Sequence, residues 1–361
     1  MSVMNKVVVI GTSHHNTLGM IRCLGQAGYL VDLILIDQAN SYITHSRYLS
    51  KVVVLSGLSE LIKCLSSNYD NQSICPIIIS CSDAVASYLD SNYDEIKDKY
   101  YFFNSGNANK VTACMDKQYQ VALAKEFGLN TPHSYIFKGD ISKTIYPCLL
   151  KPVQSINGGK QVMICHNDNE LLKSLTLYGK SVEVLVQQYL KKEYEVVILG
   201  LSVNGQIFIP GYILKHRDYD GGTLYSTVKS ISSFPKKIIQ SCKDMIQAMD
   251  YEGLFGVELI YSNNNYYFIE CNLRNDATTY ALAVAGVNLP ELYVKVKREN
   301  FVLPISCPVK EIKSIVEFND FKHRKNFGVS LYQWLKEYLR ASCKYYFNWK
   351  DPMPFFYAPF K

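Results

Sequence analysis

The 361-residue chain is 48% hydrophobic and carries 38 basic against 32 acidic side chains, a net charge of +6. It nowhere approaches the ~18 unbroken apolar residues of a membrane-spanning helix, and its nearly neutral body does not suit general nucleic-acid binding. Its eleven cysteines form no CxxC pair, and Cys23, Cys148 and Cys271 sit inside apolar runs, which argues against a disulfide frame or zinc site and for buried thiols in a reducing, cytoplasmic compartment.

The first residues run straight into a strand and lack the layout of a signal peptide. Residues 6–11 (KVVVIG) read as a buried strand, 17–28 as a helix and 30–37 as a second strand. Further β signals at 51–55 and 76–80, with helical stretches between, predict a parallel, doubly wound sheet. Residues 11–19 (GTSHHNTLG) do not form a dinucleotide fingerprint, because bulky side chains occupy the close-approach positions. His14 and His15 lie at the strand's carboxyl end, where such folds bind ligands, and read equally well as loop histidines near solvent.

After Asn104 the alternation stops. Asp116 and Lys117 open a helix that ends at Gly128, with Pro132 just beyond. Strands are predicted at 146–153, 161–165, 182–189, 194–201 and 206–215, with helices at 168–177 and 235–249, an α+β pattern. The last segment, from residue 301, holds ten Lys or Arg against five Asp or Glu. It reads as one helix (330–340) and an aromatic end. Its mixture of cations and aromatics can meet an anionic membrane surface or a phosphate-bearing acceptor; the plainer reading packs the aromatics on the domain before it while the basic side chains reach water.

Runs 254–261 and 266–273 flank Asn263, Asn264 and Asn265, a hairpin signal. A turn centred on Asn264 puts Glu258 opposite Glu270. Glu258, Glu270, Asn272 and Arg274 then share one face, while Phe255, Val257, Leu259, Ile269, Cys271 and Leu273 take the core face. Opposed Cβ atoms lie about 5 Å apart, so the two carboxylates repel unless a cation joins them. Two carboxylates and an amide oxygen suit Mg²⁺, which takes its remaining ligands from water and phosphate. Arg274 adds a fixed positive fork.

Two more segments can carry chemistry. Lys151 closes an apolar strand beside the glycine loop at 155–160, where a lysine and free backbone N–H groups can hold phosphate; an exposed lysine next to a Gly-Gly hairpin is the plainer reading. Residues 184–197 place two apolar strands around a polar hinge. Backbone groups there can pair with a purine edge, and Glu193 or Glu195 can accept from ribose or serve as ordinary surface acids.

In this order the segments resemble the ATP-grasp superfamily, in its carboxylate–amine ligase-like branch. The resemblance covers about 113–300, with residues 16–19 and 46–48 similar to the preceding α/β domain of such ligases. It implies a pre-ATP-grasp domain at 1–112, an ATP-grasp domain at 113–300 with a smaller lobe (113–185) and a metal-binding lobe (186–300), and a tail at 301–361. It implies that Lys117 and Lys151, with Ser155, Gly158 and Gly159, hold ATP phosphates. Gln188 and Leu190 would meet adenine through their backbone, with Gln187 where the family usually has Glu, and Glu193 would bind ribose. Lys215 resembles a later phosphate-binding lysine. Glu258, Glu270 and Asn272 would hold Mg²⁺, for which Mn²⁺ can substitute.

The implied activity is ATP-dependent joining of a carboxylate to an amine through an acyl phosphate, with Lys151 and Arg274 as the catalytic cations. His216, Arg217, Asn275 and Asp276 are the candidates for the carboxylate and the amine. A kinase of the same superfamily and a non-catalytic nucleotide sensor are the alternatives. The expected partners are small molecules, with no nucleic acid and no stable membrane insertion; a homo-oligomer is compatible with the sequence.

Overall fold

The computed structural model describes residues 6–36, 40–70, 75–152, 162–178 and 182–358. Four strands, β1 (Lys6–Gly11), β2 (Leu30–Ile36), β3 (Leu49–Leu55) and β4 (Ile77–Ser80), form a parallel sheet in the order β3-β2-β1-β4. The unbroken apolar run of β1 has its reason here, since both faces are covered. Val7 and Val9 pack in the cluster that includes helix His15–Gln26, and Val8 and Ile10 in the one that includes Leu61, Leu65, Val85 and Leu89. The doubly wound sheet is therefore as expected. Its strand order reverses between β1 and β4, and the crevice at the carboxyl ends of those strands is the usual ligand position in such folds.

A second, antiparallel sheet has the order β5-β8-β6-β7, with β5 Ser134–Ile136, β6 Cys148–Pro152, β7 Met163–Cys165 and β8 Val184–Gln188. Its core holds Cys148, Leu150, Cys165, Val184 and Val186. The third sheet joins β9 (Tyr194–Val203), β10 (Gln206–Tyr219), β11 (Gly222–Ser230), β12 (Gly253–Ser262), β13 (Asn265–Asn272), β14 (Ile312–Ile315) and β15 (Cys343–Lys344) in the order β13-β12-β9-β10-β11-β14-β15. Helix Lys117–Glu126 stops where expected, with Gly128 at φ 79 just beyond it. β11 and β5 escaped the sequence reading; β11 starts directly at the Gly221-Gly222 turn.

The C-terminal segment is more than the single helix expected. β14 and β15 extend the large sheet, helix Leu331–Arg340 lies between them, and the chain then returns to the first sheet. Arg22 is 0% exposed and donates to Asp351 Oδ2 (2.9 Å) and to the carbonyls of Tyr345 (2.8 Å), Tyr346 (2.8 Å) and Asp351 (2.9 Å). Asp351 also accepts from Ser46 Oγ and from Arg47 N–H, both at 2.9 Å. A buried charge is tolerated when it is paired and its hydrogen bonds are filled, and here they are. Tyr345 and Tyr346 thus pack against His15 and Tyr42 of the N-terminal layer, which corrects the expectation that the tail aromatics pack on the later domain alone. Among the described residues no helix is long and apolar enough to cross a membrane.

Candidate active site

The β12–β13 hairpin turns through two residues, Asn263 (φ 48) and Asn264 (φ 61). Asn tolerates this left-handed backbone, which a two-residue hairpin turn of this kind requires at both central positions. Ser262 consequently pairs with Asn265, and Leu259 with Phe268, one residue off the expected register. A bulge at Ile269 restores it, so that Glu258 pairs with Glu270 and Gly256 with Asn272. The bulge also corrects the expected core face: Phe268 is buried there and Ile269 is only half-buried.

Around this pair the structure assembles a chain of alternating charge. Lys215, with 2% of its side chain exposed, donates to Glu258 Oε2 (3.0 Å) and to Glu195 Oε1. Asn272 Nδ2 donates to Glu258 Oε1 (3.1 Å), and its Oδ1 accepts from Arg274 (3.1 Å). Arg274 reaches across to Asp83 with Nε and a terminal nitrogen, at 2.7 and 3.2 Å. Burial pushes Glu258 up to about 8, with Asp276, Glu270 and Glu195 adding to the effect and Lys215 opposing it. The lysine keeps its proton, because Glu258 and Glu195 outweigh the desolvation that would remove it.

Helix Lys117–Glu126 and strand β6 approach the same pair. Lys117 Nζ lies 3.7 Å from Glu270 Oε2. Its helix is capped by Asp116, which accepts from Tyr119 N–H at 2.8 Å, and is pinned to β13 by Gln120. That amide donates to Cys271 O (2.8 Å) and accepts from Cys271 N–H (2.9 Å), thereby setting Lys117 against Glu270. Lys151 Nζ donates to Gln187 Oε1 at 2.9 Å, and burial together with Lys117 holds its pKa below the ordinary lysine value while Glu270 opposes them. The Gln188 N–H is committed to His133 O (2.7 Å), and Leu190 is buried. Ser155, Gly158 and Gly159 lie outside the described residues.

The Glu193 carboxylate accepts from Asn263 N–H at 3.0 Å at the hairpin turn, while Glu195, inside β9, joins the cluster through Lys215 and Lys192. Two substrate assignments change. A bulge in β10 between Lys215 and Arg217 sends their side chains to different partners. Arg217 is consumed by Asp320 (2.8 Å to each oxygen) and Glu337 (2.7 Å), and His216 Nε2 meets Thr227 Oγ1 (2.6 Å). Neither side chain is brought to the carboxylate cluster as a substrate ligand.

Asn275 and Asp276 sit at the crevice between β1 and β4. Asn16 Nδ2 donates to the carbonyls of Cys81 and Asn275, both at 3.0 Å, and Asn16 Oδ1 accepts from Asn275 Nδ2. Asn275 Oδ1 is buried and has no hydrogen-bond partner among the described residues. Asp276 Oδ1 accepts from Thr278 N–H at 2.8 Å. His14 caps helix His15–Gln26, accepting from Asn16 N–H at 3.1 Å, whereas His15 is a core residue. Among the described residues no group of three or more His, Cys, Asp or Glu side chains is arranged to hold a metal. The candidate set is instead two carboxylates and an amide, which a hard cation completes with phosphate oxygens. A carboxylate that faces a second carboxylate and is already in contact with an ammonium group fits a cation-binding position.

Residues 114–278 match the model of the ATP-grasp domain family. The chain is 31% identical over 136 residues to a formate-dependent phosphoribosylglycinamide formyltransferase of Wolinella succinogenes, covering 36% of this chain and 34% of the relative. It is 32% identical over 168 residues to a D-alanine–D-alanine ligase of Petrotoga mobilis, covering 41% and 54%. It thus spans between about a third and about half of the length of these curated relatives. Among solved structures it resembles the N5-carboxyaminoimidazole synthetase of Staphylococcus aureus complexed with ADP, with a TM-score of 0.67, 16% identity, and 91% and 88% of the two chains covered. The L-amino acid ligase of Bacillus licheniformis gives 0.61, 14%, 82% and 74%. At these identities the structural likeness establishes the fold.

Proposed function

We propose that this member of the ATP-grasp superfamily is an ADP-forming ligase that joins a small carboxylate to an amine. The observation that carries the reading is the opposition of Glu258 and Glu270, with Asn272 linking Glu258 to Arg274 and with Lys117 beside Glu270. Lys117 and Lys151 hold the ATP phosphates, joined by the glycine loop at 155–160. Gln187, Gln188 and Leu190 meet the base. The ribose falls to Glu193, whose carboxylate also accepts from Asn263 N–H at the hairpin turn; Glu195 is taken up by Lys215 and Lys192. Lys215 contributes positive charge beside the phosphates.

Glu258, Glu270 and Asn272 would hold Mg²⁺, or Mn²⁺ in its place, and the ion supplies neutralisation of phosphate charge. The substrate carboxylate attacks the γ-phosphorus, the bond to ADP breaks, and an acyl phosphate forms. Arg274 stabilises the charge on the transferring group. The amine then attacks the acyl carbon and phosphate leaves. Asn275 Oδ1, a buried acceptor without a partner among the described residues, would receive an N–H of that amine, and Asn16 holds the Asn275 side chain in place. An unmet buried acceptor is costly, and a ligand donor relieves the cost.

The test is a panel of carboxylates and amines incubated with ATP and Mg²⁺, scored for ADP, phosphate and product mass. Release of ADP and phosphate that depends on both substrates supports the reading. A stable phosphate ester formed without an amine would instead make the protein a kinase, and no turnover with intact ATP binding would make it a sensor.

A further inference from the structure

The C-terminal helix Leu331–Arg340 presents two unlike faces. Its inner face is built into the fold: Trp334 Nε1 donates to Asp320 Oδ2 at 2.8 Å, Tyr338 stacks on Trp334 at 5.3 Å, and Glu337 pairs with Arg217. Its outer face is apolar and bare. Leu331, Tyr332, Leu335 and Leu339 are 52%, 78%, 45% and 76% exposed, and the three leucines recur at four-residue spacing along one side. A solitary exposed leucine needs no explanation, but a ridge of four large apolar side chains on ten residues marks an interaction surface.

Charge selects the partner. Lys336 and Arg340 flank the ridge, and Lys322 and Lys325 are exposed on the segment that leads into it. None of these four meets a carboxylate among the described residues. The only acid in residues 321–340 is Glu337, which Arg217 already neutralises. A second copy of the chain is a poor occupant, because an isologous contact would set Lys336 and Arg340 of the two copies against each other. An amphipathic helix with leucine and tyrosine on one face and unopposed cations beside it suits an anionic interface.

We propose that helix Leu331–Arg340 docks this protein reversibly on the surface of an anionic lipid bilayer, with the leucine ridge in the headgroup–acyl boundary and Lys322, Lys325, Lys336 and Arg340 over the lipid charges. The helix lies in the plane of the interface and does not span it. This surface is separate from the nucleotide site and holds whatever reaction that site performs.

The test is sedimentation of the full chain at physiological salt with phosphatidylcholine vesicles, with and without phosphatidylglycerol. Binding is expected only to the anionic vesicles. Lys336→Glu with Arg340→Glu should weaken it by at least roughly 25-fold, about fivefold for each cation removed. Leu335→Ser with Leu339→Ser should weaken it comparably, and both pairs should melt and bind ATP as the parent does. If a pair fails to fold, Tyr332→Ser alone should still lower binding. No binding of the parent to anionic vesicles, or parent-like binding by folded variants of both kinds, overturns the proposal. So does a parent dimer that the leucine variants convert to monomer, or binding of an acidic peptide in place of the vesicles.

Discussion

Glu258 faces Glu270 because two irregularities of the hairpin cancel: the Asn263-Asn264 turn offsets the strands by one residue, and the bulge at Ile269 takes the offset back. With the turn alone, Glu258 would face Ile269 and the two carboxylates would be out of register. The bulge is therefore part of the site, as bulges beside functional residues commonly are.

Glu270→Gln removes one of the two charges while leaving the apolar face of β13 intact. Turnover at limiting Mg²⁺ should fall by the equivalent of several kcal/mol of transition-state stabilisation. The melting temperature should stay near that of the parent. Wild-type turnover in the folded variant across an Mg²⁺ titration would remove this pair from the reaction.

Gln187 bears on the choice of base. Lys151 Nζ can only donate, so it fixes the Gln187 oxygen as its partner and draws on the acceptor that adenine's amino group would use. Gln187→Glu should strengthen that acceptor by about 1 kcal/mol, raising the preference for ATP over ITP by about fivefold in kcat/KM. An unchanged preference would place Gln187 away from the base.

Arg217 is a structural residue in this account. Arg217→Ala leaves Asp320 buried without its cation and should cost about 3–5 kcal/mol in denaturant unfolding. Lys151→Ala, by contrast, should weaken ATP with little loss of stability. Near-parental stability of Arg217→Ala with a raised KM for carboxylate or amine would return Arg217 to the substrate site.

Much of the fold was legible because period and punctuation carry it: the apolar run of β1, Gly128 after helix Lys117–Glu126, and the paired runs of the hairpin. The site residues of that hairpin were legible for the same reason. The bulges at Ile269 and His216 were not, since one extra residue leaves no compositional trace. That Glu195 joins the charge cluster was not legible, because only the start of β9, at Tyr194, separates an acid in the strand from one before it. Gln120 and the pairs Arg217–Asp320 and Arg22–Asp351 join residues more than a hundred positions apart, and no local pattern announces such partners.

Acid should weaken the fold through its histidines. Burial holds His14 and His15 below the ordinary value, and burial with Lys313 and Arg217 lowers His216 to about 4. Below about pH 6.5 the unfolded chain binds protons that the folded chain refuses, so stability falls as pH drops from there toward about 4 and is unaffected by these groups above it. His216→Gln should flatten that slope by up to one proton in urea melts across the window. An unchanged slope would show that His216 titrates normally in the fold.

The acyl phosphate itself is tested most directly with a substrate carboxylate labelled with ¹⁸O in both oxygens. Attack of that carboxylate on the γ-phosphorus, followed by amine attack at the acyl carbon, leaves one carboxylate oxygen on the phosphate released. Mass spectrometry should find one ¹⁸O per phosphate alongside ADP. Unlabelled phosphate with ADP, or label in AMP with release of pyrophosphate, would contradict the account.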